Sequence, residues 1–423
     1  MFLDSVALTF ISLWLFRYVR LIVNCISFWT FRPVPLPEEP TYGPNDVTII
    51  LPTIAGDGDE LRETIRSCLR CRPFELIIVT VDANLKRAKQ MAREMNEKRI
   101  RVFSVTQANK RRQMCRAIPE VLTKVTIFAD DDVIWPPMLL DWILAPFEDS
   151  EIGGVGTSQR LRREPQPTIW DFLGACYLER RNFDIGACTH IDGGLPCLSG
   201  RTVAYRTEIL RHDDFTKDFT NETWGSFQLN ADDDNFITRW LVSHGWKTYI
   251  QFHKQAEVQT TLESNQKFLR QCLRWSRSNW RSNMTSMFVE RHVWWRQPWS
   301  TYAVQQTTLT AWSLPIDATL LYLCYRATEH WQPRNQEGAL ILQVTWMLCS
   351  KFVKLLGHFI RYPEDVILFP VYVAFGYFHC LIKLYAMFTL SETAWGSREG
   401  ADVDDDLRMI RRSEPYTKAS TEK

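Results

Sequence analysis

The sequence carries no excess of either charge: 50 Lys and Arg stand against 49 Asp and Glu. A polyanion-binding surface over the whole molecule is therefore not expected, and nucleic acid is not an expected partner. The GxGxxG and GxxxxGK[ST] spacings are both missing, so neither a dinucleotide fold nor a P-loop ATPase is supported. Paired cysteines are scarce. The 11 Cys are scattered singly apart from Cys68 and Cys71. One such pair is weak ground for zinc, and two helix residues one turn apart account for it. Cys188, His190 and Cys197 lack a fourth ligand and read better as small loop residues. Scattered thiols fit a cytosolic catalytic portion. No small-residue cleavage site follows the N-terminal apolar run, so no cleaved signal peptide is expected.

The apolar residues, 45% of the chain, pile up at the two ends. Residues 1–31 form an N-terminal membrane helix, long enough over 5–31 to span a bilayer. Arg17 and Arg20 sit near its middle, which is costly in hydrocarbon. Either the helix tilts with its arginines facing protein, or it lies in the interface. Residues 32–46 are a Pro-rich linker. Residues 284–306 bring Trp294, Trp295 and Trp299 together with Arg291 and Arg296, a composition typical of a membrane interface. Residues 307–391 hold three span candidates, 307–325, 338–360 and 365–390, with Lys351 and Lys354 shortening the second. Residues 392–423 end in an acidic tail expected to be solvated.

Between these ends, residues 47–283 alternate strand and helix, which implies an α/β domain with a mostly parallel, Rossmann-like sheet. VTIILP (47–52), ELIIVTV (75–81) and IRVFSV (100–105) read as strands, with helices near 59–70 and 84–96 between them. The central stretch is KVTIFADDDVIWP (124–136), a strand buried on both faces that ends in three carboxylates. Ligands of open α/β sheets bind past the carboxyl ends of the strands. Alternation turns Asp130 and Asp132 to one side and Asp131 to the other. Two hard oxygen donors there suit Mg²⁺ or Mn²⁺ carrying a diphosphate, and the plain alternative is a solvated acidic turn.

Asp82 ends the second strand and is either a base or ribose contact or a helix cap. Lys110 and Arg111 open a helix, as phosphate ligands or as a solvated basic face. IGGVGTSQR (152–160) reads as a fifth strand whose glycines allow close backbone approach, residues 167–183 as a helix, and 190–206 as an irregular glycine-rich loop of the binding type. ADDDNFITRWLVSHGW (231–246) places a second acidic cluster at a helix start. FLRQCLRWSRSNWRSN (268–283) sets Gln271, Arg274 and Trp275 on one face of an amphipathic helix, whose plain alternative is an interfacial helix with snorkelling arginines.

A strand-end Asp, a DxD, a later acidic cluster and a QxxRW pentad, in this order, resemble the processive membrane branch of the family 2 glycosyltransferases. Hyaluronan, cellulose and chitin synthases belong to that branch. QCLRW at 271–275 and WGSR at 395–398 look most like hyaluronan synthases and short fungal polysaccharide synthases. The resemblance implies a glycosyltransferase-A-type cytosolic domain flanked by membrane helices. It implies donor binding by Asp82, Lys110, Arg111, Asp130 and Asp132, with a Mg²⁺ or Mn²⁺ ion on Asp132 and Asp130. It implies Asp233 as catalytic base, Ser199 and Gly200 on the acceptor side, and Gln271, Arg274 and Trp275 around diphosphate and acceptor. The implied partners are a UDP-sugar, a growing β-linked polysaccharide and the lipid bilayer of, most naturally, the plasma membrane. Ala231 and Asp234 depart from the usual pattern, which leaves the sugar open. Single-sugar transfer to a lipid carrier, or a non-catalytic membrane scaffold, are the competing readings. Three crossings after residue 306 would put WGSR outside; if WGSR stays by the site, two segments cross and one is re-entrant. A cytosolic domain leaves the sequons at Asn221 and Asn283 unmodified.

Overall fold

The computed structural model describes residues 5–393. Runs rich in Val, Ile and Thr make the central sheet: β1 (Val47–Pro52), β2 (Glu75–Val81), β3 (Ile100–Val105), β4 (Val125–Ala129), β5 (Ile152–Thr157), β6 (Thr202–Arg206) and β7 (Lys247–Gln251). Their spatial order is β7-β5-β6-β4-β1-β2-β3. β4, β1, β2 and β3 are mutually parallel, as are β5 and β7, while β6 runs antiparallel between β4 and β5. β1 and β4 are buried along their whole length, as strands covered on both faces must be. One apolar layer gathers Leu61, Ile65, Met91, Trp135 and Phe147; the other gathers Met114, Phe215, Phe219 and Leu241. The fold is thus the expected α/β type with a mostly parallel sheet.

Two segments differ from the sequence reading. Residues 190–206 are not one loop. The preceding helix runs from Ile169 to Asp192, and TVAYR forms β6 beside the DxD strand. The ladder continues past the strand end, where the Asp130 amide donates to the Arg201 carbonyl (3.0 Å). The stretch 152–160 breaks after Thr157, and Gln159–Leu161 joins a separate small sheet with Val133–Ile134 and Val258–Thr260. In β5, a Cβ on Gly154 would lie 2.6 Å from Leu241, so glycine there does let a helix press onto the sheet.

Among the described residues, three helices are long and apolar enough to cross a membrane: Ser5–Thr30, Pro333–Arg361 and Pro363–Met387. The candidate at 307–325 is a helix of 15 residues, Ser313–Ala327, about 22 Å at 1.5 Å per residue and short of the roughly 30 Å hydrocarbon core. Its early Pro315 and Asp317 explain the shortfall. Asp317 is buried and accepts from Arg17 (2.8 Å) and Lys351 (2.6 Å). Arg17 therefore faces protein, and the N-terminal helix packs on Ser313–Ala327 and Pro333–Phe352 through Tyr18, Leu21, Leu320 and Met347. The helix Phe369–Met387 instead lies along the helix Lys267–Met284, joined by Phe268, Cys272, Phe375 and Ile382.

Candidate active site

β4 ends at Ala129, and the three carboxylates that follow take different partners. Asp130 accepts from the Lys110 ammonium (2.8 Å). Asp131 accepts from the Thr53 hydroxyl (2.6 Å) and borders the same cavity as its two neighbours. Asp132 accepts from Thr261 (3.0 Å), delivered by the small second sheet. Lys110 is the first residue of the helix Lys110–Ala117, capped by Asn109, whose side chain accepts from the Arg112 amide. Its ammonium is buried and also reaches Asp233 (3.0 Å). Burial alone would lower the Lys110 pKa, but Asp130 and Asp233 outweigh it and keep it raised, so the ammonium stays protonated.

The second acidic cluster divides its labour just as sharply. Asp232 sits in the left-handed region (φ 64°, ψ 30°), rare for a residue with a side chain. It is fully paired, with the Arg281 guanidinium (2.7 Å) and the Ser278 hydroxyl. Burial would raise its pKa; Arg281 more than reverses this and holds it low. Asp233 begins the helix Asp233–Ser243 and faces the cavity. Burial pushes the Asp233 carboxyl up, Lys110 opposes the shift, and Asp234 and Asp130 reinforce it. Asp234 accepts from the Gly200 amide (2.9 Å) and so fixes the LSG loop. A Cβ on Gly200 would lie 2.9 Å from the Lys110 ammonium and 3.3 Å from Asp233, so the loop backbone closes over this pair. Ser199, also left-handed (φ 71°), accepts from Gln159 (2.9 Å).

The pentad helix Lys267–Met284 supplies the opposite wall. Gln271 accepts from the Glu263 amide (3.4 Å). Arg274 Nε is buried without a hydrogen-bond partner, and burial holds its pKa below the usual value. Trp275 stacks on Tyr177 (centroids 4.8 Å apart, planes at 28°), and the Arg201 guanidinium lies 5.6 Å from its ring. Lys110, Asp130, Asp132, Ser199, Gly200, Asp233, Gln271, Arg274 and Trp275 all line one cavity of about 410 Å³. Sequence reasoning missed Tyr177, Arg181 and Arg201 on the same cavity. A signal was present: Tyr177, Arg181 and Asp184 recur at i, i+4 and i+7 and so share one face of the helix.

Two expected site residues lie apart. Asp82 accepts from Ser104 (2.5 Å) at the end of β2, two strands from Asp130, and does not line the cavity. It does not cap the following helix either, whose N-cap is Asn84. Arg111 is wholly buried. It donates to the carbonyls of Phe219 (2.7 Å) and Ala231 (2.7 Å) and pairs with Glu222 (2.6 Å), holding the loop before Asp232. WGSR at 395–398 lies outside the described residues.

The donor set suits a hard divalent cation. Asp130 and Asp132 are two carboxylates open to a cavity, and Mg²⁺ or Mn²⁺ is commonly held by one or two carboxylates plus substrate phosphate. Among the described residues no three His, Cys, Asp or Glu form a preassembled metal cage, so such an ion would need the donor's own oxygens. An unpartnered arginine across the cavity provides the countercharge a diphosphate requires.

Fold and cavity together define a glycosyltransferase domain with a GT-A-like α/β sheet. Residues 44–278 match the family described as glycosyltransferase like family 2, and the chain belongs to that family. A type 2 glycosyltransferase of Zymoseptoria tritici is 62% identical over 95% of this chain and 85% of its own length. A hyaluronan synthase 2 of Gallus gallus is 24% identical over 67% of this chain and 48% of its own length. Among solved structures, a mannosyltransferase from Pyrobaculum calidifontis in complex with GDP-Man and Mn²⁺ superposes with a TM-score of 0.56 at 15% identity. That match covers 94% of this chain and all of the other, and speaks for the fold alone.

Proposed function

We propose that this chain is an inverting, metal-dependent hexosyltransferase that takes a UDP-sugar on its cytosolic side and extends a β-linked saccharide at a membrane. The observation that carries this reading is the convergence of Asp130, Asp132, Asp233, Gln271, Arg274 and Trp275 on one cavity. Asp130 and Asp132 would hold Mg²⁺ or Mn²⁺, which when bound offsets charge on the departing diphosphate. Arg274 faces the same diphosphate as a desolvated cation. Trp275, braced by Tyr177, offers an aromatic face to the acceptor sugar. Asp233 accepts the proton of the acceptor hydroxyl as that oxygen bonds to the anomeric carbon. The bond from that carbon to the UDP oxygen breaks on the opposite face, which inverts the configuration. Lys110, held between Asp130 and Asp233, keeps the two carboxylates from repelling each other.

The test is product analysis with purified chain in nanodiscs and a panel of UDP-sugars. UDP release should be lost in EDTA and in Asp132→Ala while the protein stays folded. Undiminished turnover in EDTA would remove the metal from this reading. A product with retained configuration would remove the single-displacement step.

A further inference from the structure

A second cavity, of about 240 Å³, opens behind the first, with Tyr177, Arg180, Asp184, Ala311, His379 and Lys383 lining both. It lies between the helix Ile169–Asp192 and the apolar helices. Its charge does not balance. Six cations line it: Arg17, Arg20, Arg180, Lys351, Lys354 and Lys383. Asp184 is the one carboxylate in its lining, and Asp317 sits just behind. Arg17 and Lys351 share Asp317, Lys354 takes Asp184 (2.7 Å), and Lys383 donates to the Thr307 and Ala311 carbonyls. Arg20 and Arg180 remain. No described carboxylate lies within 4.0 Å of either, and Arg20 Nη1 is buried without a partner. An uncompensated cation at such a site costs several kcal/mol, so the cavity is built for an anion from outside the protein.

We infer that this vestibule binds the phosphate of a lipid-linked acceptor, whose sugar reaches into the catalytic cavity beside Trp275. This rests on the transferase reading and names its acceptor class. Three observations favour an amphiphile. The cations share the lining with Leu21, Leu173, Val373 and Phe375, so one site meets both a charged head and an apolar tail. The vestibule is walled by segments 17–24, 350–354 and 372–383 of the three helices that, among the described residues, are long and apolar enough to cross a membrane. It is continuous with the catalytic cavity, so an acceptor can occupy both at once.

The test uses the full chain in phosphatidylcholine nanodiscs and three acceptors: a hexose on decyl phosphate, neutral decyl glucoside, and a hexuronate oligosaccharide. The phosphate-linked acceptor should have a KM at least about tenfold below that of decyl glucoside, the scale of one charge-assisted contact. Arg20→Gln should erase that advantage and Arg20→Lys keep most of it, with acceptor-free UDP release unchanged in both. Equal KM values for the phosphate-linked and neutral acceptors overturn the inference, and so does an Arg20-dependent preference for the hexuronate. Binding of decyl phosphate, followed by tryptophan fluorescence without donor, separates this inference from the one it rests on. Arg20-dependent binding without turnover sinks the transferase reading alone. Turnover without Arg20-dependent binding sinks the vestibule assignment.

Discussion

Three adjacent aspartates carry three separate tasks. Side chains at a helix start diverge by about 100° per residue, so one acceptor hydroxyl can face only one of them. All three border the cavity, but Asp232 is taken by Arg281 and Ser278 and Asp234 by the Gly200 amide, which leaves Asp233, beside Lys110, whose raised pKa suits a proton acceptor. Asp233→Asn keeps the shape and removes the base, so turnover should fall by orders of magnitude with UDP affinity nearly unchanged. Asp234→Asn should be mild, because an amide oxygen still accepts from the Gly200 amide. Asp232→Asn should instead destabilise the protein, since it leaves Arg281 buried and unpaired at a cost of roughly 3–5 kcal/mol. Rates, UDP affinities and melting temperatures of the three mutants, taken side by side, check this. A dead but stable Asp234→Asn would shift the base by one position. The sequence singles out this cluster but not its division of labour. A left-handed Asp232 and an arginine 49 positions away decide it, and neither leaves a local pattern. The same holds for Arg111: a basic residue at a helix start reads as a phosphate ligand, and only tertiary contacts turn it into a brace for Ala231.

The elements were more legible than their joints. Strands β1, β2 and β4 declare themselves because both faces are buried and Val and Ile dominate, and the half-buried edge strand β3 by its apolar run IRVFSV. β6 did not, because four nearby residues (Gly193, Gly194, Pro196, Gly200) signal irregular chain and hide a short strand after them. In the proposed reaction, two helices carry the acceptor side. The pentad helix presents Trp275 only because Tyr177, on Ile169–Asp192, stacks behind it. Trp275→Ala should cut sugar transfer at least tenfold with UDP affinity largely kept; a parallel loss of membrane insertion would restore the interfacial-helix reading. Ile169–Asp192 also buries Glu179 against the backbone of Gly357, and burial raises its carboxyl to about 7. The folded state thus holds a proton that the unfolded chain releases at an ordinary carboxylate pKa near 4.3. Stability from this group is full below that pKa and is lost as pH rises to about 7, above which it stays flat. Glu179→Gln should flatten this decline, so its melting temperature should exceed wild type at pH 8 and converge with it near pH 4. An identical pH profile for both proteins would place the titrating group elsewhere.

At the scale of the whole molecule, the contacts argue for a topology that hydropathy leaves open. Pro363–Met387 is apolar and about 37 Å long at 1.5 Å per residue, enough to cross. Yet both of its ends touch the catalytic domain. Asp365 pairs with Arg163 (2.8 Å) at one end. At the other, the Lys383 carbonyl accepts from Trp280 (3.0 Å), and the carbonyls of Leu390 and Glu392 accept from Arg281 (3.2 and 3.1 Å). A helix anchored to one domain at both ends lies along it rather than crossing away from it. Arg281 is also the partner of Asp232, so the chain leading to WGSR leaves from directly beneath the catalytic loop. We propose as crossing elements Ser5–Thr30 and a hairpin in which Ser313–Ala327, too short alone, is lengthened by the preceding Thr307–Thr310 and pairs with Pro333–Arg361. Each of these three has one end at the catalytic domain: Ser27 donates to the Ala187 carbonyl (2.8 Å), the Asn283 side-chain amide donates to the Thr308 hydroxyl (2.7 Å), and Lys354 pairs with Asp184. Lys351 and Lys354 lie toward that end of Pro333–Arg361, as the positive-inside bias favours. A glycosylation acceptor inserted in the turn 328–332 should therefore be modified in cells, and one inserted beside Tyr362 should not. A C-terminal reporter should read as cytosolic. Modification beside Tyr362, with a reporter still cytosolic, would make Pro363–Met387 a true crossing and would pull its contacts with Arg163 and Glu179's helix apart.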